Sequence, residues 1–179
     1  MEVVAPRSAR SLIRRARAGI VTGTVALLVL VVVALAAASV VLALQARADE
    51  QEDARRQAVL QAARQEALNL TTLSYKTFDH DVGRVLDLGT GSFKSQYAKK
   101  TKKLEKALTD AKVRSRGKVL EAGLVSADED SAQSLVVVDQ TVQSPNVSKP
   151  ALRHYRMRMT LVRKDGRWLV SKFGFAGVS

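Results

Sequence analysis

The stretch ALRHYRMRMTLVRKDGRWLV, residues 151–170, decides the fold. Along it Tyr155, Met157, Met159 and Leu161 alternate with His154, Arg156, Arg158 and Thr160, so a strand over 151–164 has one apolar and one polar face. Lys164-Asp165-Gly166-Arg167 comes next, and Asp-Gly is a pair that accepts the positive φ of a two-residue turn. A strand over 167–175 therefore returns antiparallel to the first. A sheet with one buried face needs a layer to cover it.

Upstream, the same β-branched and alternating character extends over 113–127 and 132–144. Asp128-Glu129-Asp130-Ser131 separates these two strands, and Pro145-Asn146 with Pro150 separates the second from the third. The covering layer lies further upstream. From Ser92, the residues Phe93, Tyr97, Leu104 and Leu108 share one side of a helix while lysines occupy the other. Before it, Asp79-His80-Asp81 reads as an N-cap, Val82, Val85, Leu86 and Leu88 as a short apolar helix, and Gly89 as its stop. Residues 49–73 lack Gly and Pro and are rich in Ala, Gln, Glu and Arg, with Ala54, Ala58, Ala62, Ala63, Ala67 and Leu70 as a small-residue stripe. Helices first and a four-strand meander last define an α+β class, a half-open cone of helices packed on a curved antiparallel sheet.

No charge interrupts the chain from Ala18 to Ala46. At about 1.5 Å per residue a helix of that length exceeds a hydrocarbon core of roughly 30 Å, so a membrane span is expected over 20–42. A cleaved signal peptide has an apolar segment of only about 7–15 residues, which is much shorter. Arg7, Arg10, Arg14, Arg15 and Arg17 precede the run, whereas Asp49, Glu50, Glu52 and Asp53 follow soon after Arg47. The positive side stays in the cytoplasm, which makes the chain a single-pass plasma-membrane protein with an extracytoplasmic C-terminal domain. The expected organisation is a basic tail over 1–17, a transmembrane segment over 18–46, a helical stalk over 47–66 and the exterior domain over 67–179. Gly19 and Gly23 form a Gly-x-x-x-Gly pair, a candidate for helix pairing in the bilayer and so for homo-oligomers.

The 179 residues leave room for one domain beyond the span, and the absence of cysteine excludes disulfides and thiolate metal sites. Of the net charge of +12, about +7 belongs to the segment after Arg47. Much of it is concentrated at Lys94, Lys99, Lys100, Lys102, Lys103 and Lys106, a candidate patch for an anionic partner and otherwise a solvated helix face. Nucleic acid is excluded as its partner, because the topology places the patch outside the cytoplasm and no aromatics are interleaved with it.

The ionisable residues give no catalytic set, no metal site and no cofactor site. His80 reads as an exposed first-turn residue, and His154 shares the polar face of its strand with Arg156 and Arg158. Asp139 interrupts an apolar strand, where a carboxylate needs a partner, and Arg156 or Arg158 is the expected one. Tyr75, Phe78, Phe93, Tyr97, Trp168, Phe173 and Phe175 read first as core, with a lipid-binding pocket as the alternative.

Several phrases, in order behind one anchor, resemble the Mce-associated membrane proteins of actinobacteria. They are the residues over 69–73 with Tyr75, Phe78-Asp79, the stretches 84–87 and 90–93 with Tyr97, the run 136–142 and the ending 158–170. The lysine density over 94–118 departs from that pattern. The resemblance implies an NTF2-like domain tethered outside the plasma membrane as an accessory subunit of an Mce complex, which imports lipids or sterols across the cell envelope. Mce transporter subunits and the bilayer are then the expected partners, with a lipid as the candidate ligand. Two other readings stand beside that scaffold: a lipid- or sterol-binding module that presents ligand to the transporter, and a small tethered isomerase or hydrolase. A scaffold asks for a filled cone, a binder for an apolar cavity open to solvent, and an enzyme for a desolvated carboxylate or histidine facing that cavity.

Overall fold

The hairpin read from residues 151–170 forms with Lys164 opposite Arg167, and Asp165 (φ 50°) and Gly166 (φ 76°) make the turn between them. The computed structural model describes the backbone of residues 8–176, and the side chains from residue 30 onward except those of 31, 32, 34 and 48. Two units separate along the chain, Met1–Gln51 and Glu52–Ser179.

In the second unit four strands, β1 (Arg114–Ala127), β2 (Ser131–Gln143), β3 (Ala151–Lys164) and β4 (Arg167–Phe175), form one antiparallel sheet in the order β1-β2-β3-β4. Bulges break the register at Val119/Glu121, Leu124/Ser126 and Thr160/Leu161, and each adds a local bend. The alternation holds along β3: Met157, Met159 and Leu161 are buried, Tyr155 half-buried, and His154, Arg156 and Arg158 exposed. Each fully buried apolar side chain of this size stabilises by roughly 1.5–3 kcal/mol, so this face alone fixes the register. Ala122, Ala132, Val136, Val138, Trp168 and Val170 complete the sheet's share of the core.

Three helices precede the strands: α1 (Ser8–Thr71), α2 (Phe78–Leu88) and α3 (Gly91–Asp110). They cover the apolar face of the sheet, so the α+β architecture expected from the sequence is the one found. Val59, Ala63 and Ala67 of α1 belong to the core, whereas Ala54 and Ala58 are exposed. The segment read as a stalk, 47–66, is thus divided: its last two turns are part of the domain. Helix α2 begins one residue after Thr77, and Asp79 does not cap it. The carboxylate that closes this turn is that of Asp81, which accepts from the Ser74 backbone N–H at 3.0 Å and from Thr77 Oγ1 at 2.9 Å. Gly89 ends α2 in an extended conformation, φ −93° and ψ 147°, because it turns directly into a bridge with Val170.

Within the first unit α1 begins at Ser8, and its described leucines and valines are open: Leu30, Val33, Leu35, Val40, Val41, Leu42 and Leu44 are 54–68% exposed. Among the described residues no helix is long and apolar enough to cross a membrane. The expected span over 20–42 lies largely outside the residues whose side chains are described, as do Gly19 and Gly23.

The end of α1 meets β1 at a distance that only glycine permits. The Gly117 N–H donates to Thr72 Oγ1 at 3.0 Å, and a methyl group at position 117 would overlap the Thr71 side chain. Thr71 cannot swing away without losing its own bond, donated to the Ala67 carbonyl at 2.5 Å. Gly117→Ala is therefore expected to destabilise the domain by about 2 kcal/mol, read as a lower denaturant midpoint in Trp168 fluorescence. An unchanged midpoint would show that the helix end yields freely.

Candidate functional site

Between α3 and the core face of the sheet the domain leaves a cavity of about 570 Å³. One wall is α3, which presents Ser92, Phe93, Gln96, Tyr97 and Lys100; opposite stand Tyr155 and Met157 of β3 with Lys172, Phe173 and Phe175 of β4. Leu70, Thr71 and Gln140 close one end. The rings form a continuous apolar surface, with centroids 5.9 Å apart for Phe93–Tyr97, 6.0 Å for Phe93–Phe173, 5.1 Å for Phe173–Phe175 and 5.3 Å for Tyr155–Phe175. Gln140 Nε2 is tied to the Thr71 carbonyl at 2.9 Å, so this amide fixes the end of α1 against β2. The cavity is open to solvent on one side, and Thr71, Ser92, Gln96 and Gln140 add polar groups to its lining.

Of the aromatics named from the sequence, Phe93, Tyr97, Phe173 and Phe175 line this cavity, whereas Phe78 and Trp168 are core. Tyr75 lies elsewhere, with the Arg114 guanidinium 5.7 Å from its ring centroid. Tyr155 and Met157 also belong to the wall; their period-two spacing marks them only as inward-facing.

Beside the cavity the core holds an acid that sequence reasoning passed over. Glu66 is fully buried, and Asn69 Nδ2 donates to its Oε2 at 3.2 Å while Oε1 has no hydrogen-bond partner among the described residues. Burial pushes its pKa up from 4.5 to about 8, against the opposing effect of the Asn69 bond. The phenol of Tyr97, also buried without a partner, is pushed up to about 12 by burial first and by the charges of Glu66 and Asp81 next. A signal for Glu66 was present in the sequence. Val59, Ala63, Glu66 and Leu70 follow one another at helical spacing, which puts the carboxyl on the same stripe as the buried alanines. Asn69 joins the acid to α2, since its Nδ2 also donates to the Arg84 carbonyl at 3.1 Å.

Asp81 is buried as well, but it is fully partnered. Burial alone would raise its pKa; the hydrogen bonds from Thr77, Arg84 and Ser74 outweigh this and hold it below the usual carboxylate value. Arg84 Nη2 lies 2.8 Å from Oδ1, and the exposed His80 Nδ1 stands 3.6 Å from the same oxygen. This cluster is a structural knot, not part of the cavity wall.

Asp139 takes a different partner from the one expected. His154 stands directly opposite it across β2 and β3, and His154 Nδ1 lies 2.6 Å from Asp139 Oδ1. Arg156 and Arg158 face Val137 and Leu135 in the same register, too far along the strand to serve. The pair sits on the outer face of the sheet, away from the cavity.

Lys94, Lys99, Lys100, Lys102, Lys103 and Lys106 are all exposed on α3. Lys106 pairs with Asp110 at 2.9 Å, one turn along the helix, and Lys100 alone among the six also reaches the cavity. Among the described residues no cluster of His, Asp or Glu has the makings of a metal site.

The family described as "Uncharacterized protein Rv1363c/MT1408-like" matches residues 18–177. Among curated relatives, Rv1363c of Mycobacterium tuberculosis is 29% identical over 113 residues, which are 63% of this chain and 43% of that one. Rv1362c of the same organism is 30% identical over 131 residues, 72% of this chain and 60% of its own length. The chain thus spans about half the length of these relatives. Among solved structures, the periplasmic domain of DotI superposes with a TM-score of 0.58 at 16% identity, covering 68% of this chain and 95% of that domain. An IcmL-like type IV secretion system protein from Legionella pneumophila gives 0.57 at 13% identity, covering 69% and 94%. At such identities the likeness is one of fold, and that fold is NTF2-like.

The buried acid makes stability depend on pH in a definite direction. Because the folded state holds the Glu66 proton up to about pH 8 and the unfolded chain releases it near 4.5, the folded state is favoured below 4.5 and loses that advantage as pH rises through 8. The loss should be roughly 4–5 kcal/mol. Glu66→Gln, which cannot ionise, should remove it. Urea denaturation of both proteins between pH 4.5 and 9 checks this: stability curves that stay parallel would mean the carboxyl is solvated in the folded state.

Proposed function

The chain belongs to the Rv1363c/MT1408-like family, and from the site's chemistry and the shared fold we propose that it is a non-enzymatic accessory subunit of a membrane assembly. The cavity wall carries this reading. Its titratable residues are two lysines and two tyrosines, which leaves it without the carboxylate or imidazole that would take a proton from a substrate. The imidazole–carboxylate pair that looks most like a base, His154 with Asp139, lies on the opposite face of the sheet.

The uncharged run over 18–46 anchors the subunit in the plasma membrane, with the basic tail in the cytoplasm and the NTF2-like domain outside. Support comes from the length of the run and from the open leucines and valines of its described part, which have no protein surface to cover them. The assembly we assign is an Mce-type importer of lipids or sterols. What supports this is the ordered resemblance of residues 69–97, 136–142 and 158–170 to Mce-associated proteins, together with the periplasmic domain and the type IV secretion system protein that share the fold.

A second reading, a lipid-binding module within the same assembly, is favoured by one observation. An apolar-walled cavity of about 570 Å³ that opens to solvent is what a binder needs and a scaffold does not.

Affinity purification of the intact protein from its native membranes should bring down subunits of a lipid transporter, identified by mass spectrometry. Recovery of the protein without any transporter subunit would defeat the accessory reading.

A further inference from the structure

A second hollow lies at the β1 edge of the sheet, and its lining is polar. It forms where the chain between α1 and α2 runs beside β1: Ser74 bridges to Arg114, Arg114 stands opposite Gln143, and Arg116 stands opposite Thr141. Residues two apart on a strand share a face, so Arg114 and Arg116, both exposed, point to the side away from the core with their stems about 6.5 Å apart. Both line the hollow, together with Thr72, Ser74, Thr77 and Asp81 on one side and Thr141 and Gln143 of β2 on the other. It shares no lining residue with the cavity between α3 and the sheet.

Donors in this hollow outnumber the acceptors left for them. Asp81 is its one carboxylate, and the Ser74 N–H, Thr77 Oγ1 and Arg84 Nη2 already donate to it. Arg84, 2.8 Å away, also balances its charge. Arg114 and Arg116 take part in no salt bridge among the described residues. The Arg114 guanidinium lies 5.7 Å from the Tyr75 ring centroid, which orders the side chain without using a hydrogen bond. Thr72 Oγ1 accepts the Gly117 N–H at 3.0 Å and Ser74 Oγ accepts the Lys76 N–H at 3.2 Å, so each hydroxyl keeps its own proton to give. Two uncompensated guanidiniums and two hydroxyl protons thus border one hollow from two sides.

We propose that this hollow binds a phosphate monoester, its oxygens held by Arg114 and Arg116 and by the hydroxyls of Thr72 and Ser74. Such a group carries about −1.5 to −2 charge near pH 7 and offers three acceptor oxygens, which matches two free guanidiniums in charge. Donors arriving from two sides suit a tetrahedral group better than a flat carboxylate. Arg114 and Gln143 also line an adjoining hollow with Tyr75, Pro145 and Val147, which gives the carrier of the phosphate a path. A lipid headgroup and a small soluble ester present the same phosphate, so the carrier is what the experiment separates.

The test uses the full chain in nanodiscs of zwitterionic lipid, titrated calorimetrically with glycerol 3-phosphate and, in a second arm, with dihexanoyl phosphatidic acid. Saturable binding of one ester per chain is expected. The double substitution Arg114→Ala, Arg116→Ala should weaken it about tenfold, and Arg114→Lys with Arg116→Lys about threefold, because lysine keeps the charge and loses the planar fork. Lys99→Ala with Lys102→Ala on α3 should leave it unchanged. An unchanged melting temperature will show that the alanine pair is folded; if it unfolds, the lysine pair carries the test. Phosphatidic acid bound about tenfold more tightly than glycerol 3-phosphate would identify a lipid headgroup as the ligand, and affinities that are equal would identify a soluble ester. The proposal is overturned if neither ester binds, if binding survives the loss of both arginines, or if the loss of the α3 lysines weakens it as much, which would mark a general attraction to a basic surface.

Discussion

The close approach of the last turns of α1 to β1 and β2 is the constraint on which the rest of the domain depends. It is made possible by small residues on both sides: Ala63 and Ala67, with no exposed surface, on the helix, and Gly117 on the strand. Three polar bonds then fix it, from Gly117 N–H to Thr72 Oγ1, from Gln140 Nε2 to the Thr71 carbonyl, and from the Ser115 N–H to the Leu73 carbonyl at 2.7 Å. Backbone groups at a helix end must find partners when buried, and here the neighbouring strands supply them. Once α1 lies this deep, any residue on its inward stripe is removed from water whatever its chemistry. Glu66 is the residue this affects.

A buried acid with one free oxygen is unfavourable in its ionised form, and the raised pKa shows which form the fold accepts. As a neutral acid Glu66 keeps a proton to donate, and Tyr97 keeps one too, while neither finds an acceptor among the described residues. Asn69 makes the arrangement tolerable. Its amide bonds both Glu66 and the Arg84 carbonyl, so the same side chain that eases the acid also holds α2 against α1. Asp81 shows the opposite solution a few residues away: less deeply buried than Glu66, it is surrounded by donors that hold its pKa down. The domain therefore keeps one carboxyl neutral by deep burial with a single donor and another charged through an abundance of donors.

Much of this was legible in the sequence, and the failures have physical causes. The four strands were readable because each hides one face, and β3 and β4 were bounded to the residue by the Asp165-Gly166 turn. The apolar side of α3 was readable from Phe93, Tyr97, Leu104 and Leu108, all buried or half-buried. Pairing across strands was not, because alternation assigns a face but not a register. Asp139 was therefore matched with an arginine two or four residues from the His154 that meets it. The cap of α2 was misplaced because three candidate residues, Thr77, Asp79 and Asp81, lie within five positions, and only the path of the chain from Ser74 decides which carboxylate turns inward. Glu66 was missed since its neighbours Arg64 and Gln65 give the segment a solvated look, although its helical phase did not agree.

The two chemical characters of α3 are better understood as one. Its lysines on the outer face and its rings on the inner face would each, alone, be ordinary features of an amphipathic helix. What joins them is incomplete closure: Phe93 alone on the helix is buried, whereas Tyr97, Leu104 and Leu108 are only half-buried. The helix therefore covers the sheet without filling the space beneath it. Lys100, a turn beyond Tyr97, falls at the boundary between the two faces, where an ammonium group remains hydrated while its methylene stem lies along the apolar wall. On the opposite side the bulge at Thr160/Leu161 shifts the register of β4, so that Phe173, paired with Met159, faces the cavity while Lys172, paired with Thr160, is exposed. A cavity open on one side thus follows from a helix that packs at one end and a strand that bulges at the other.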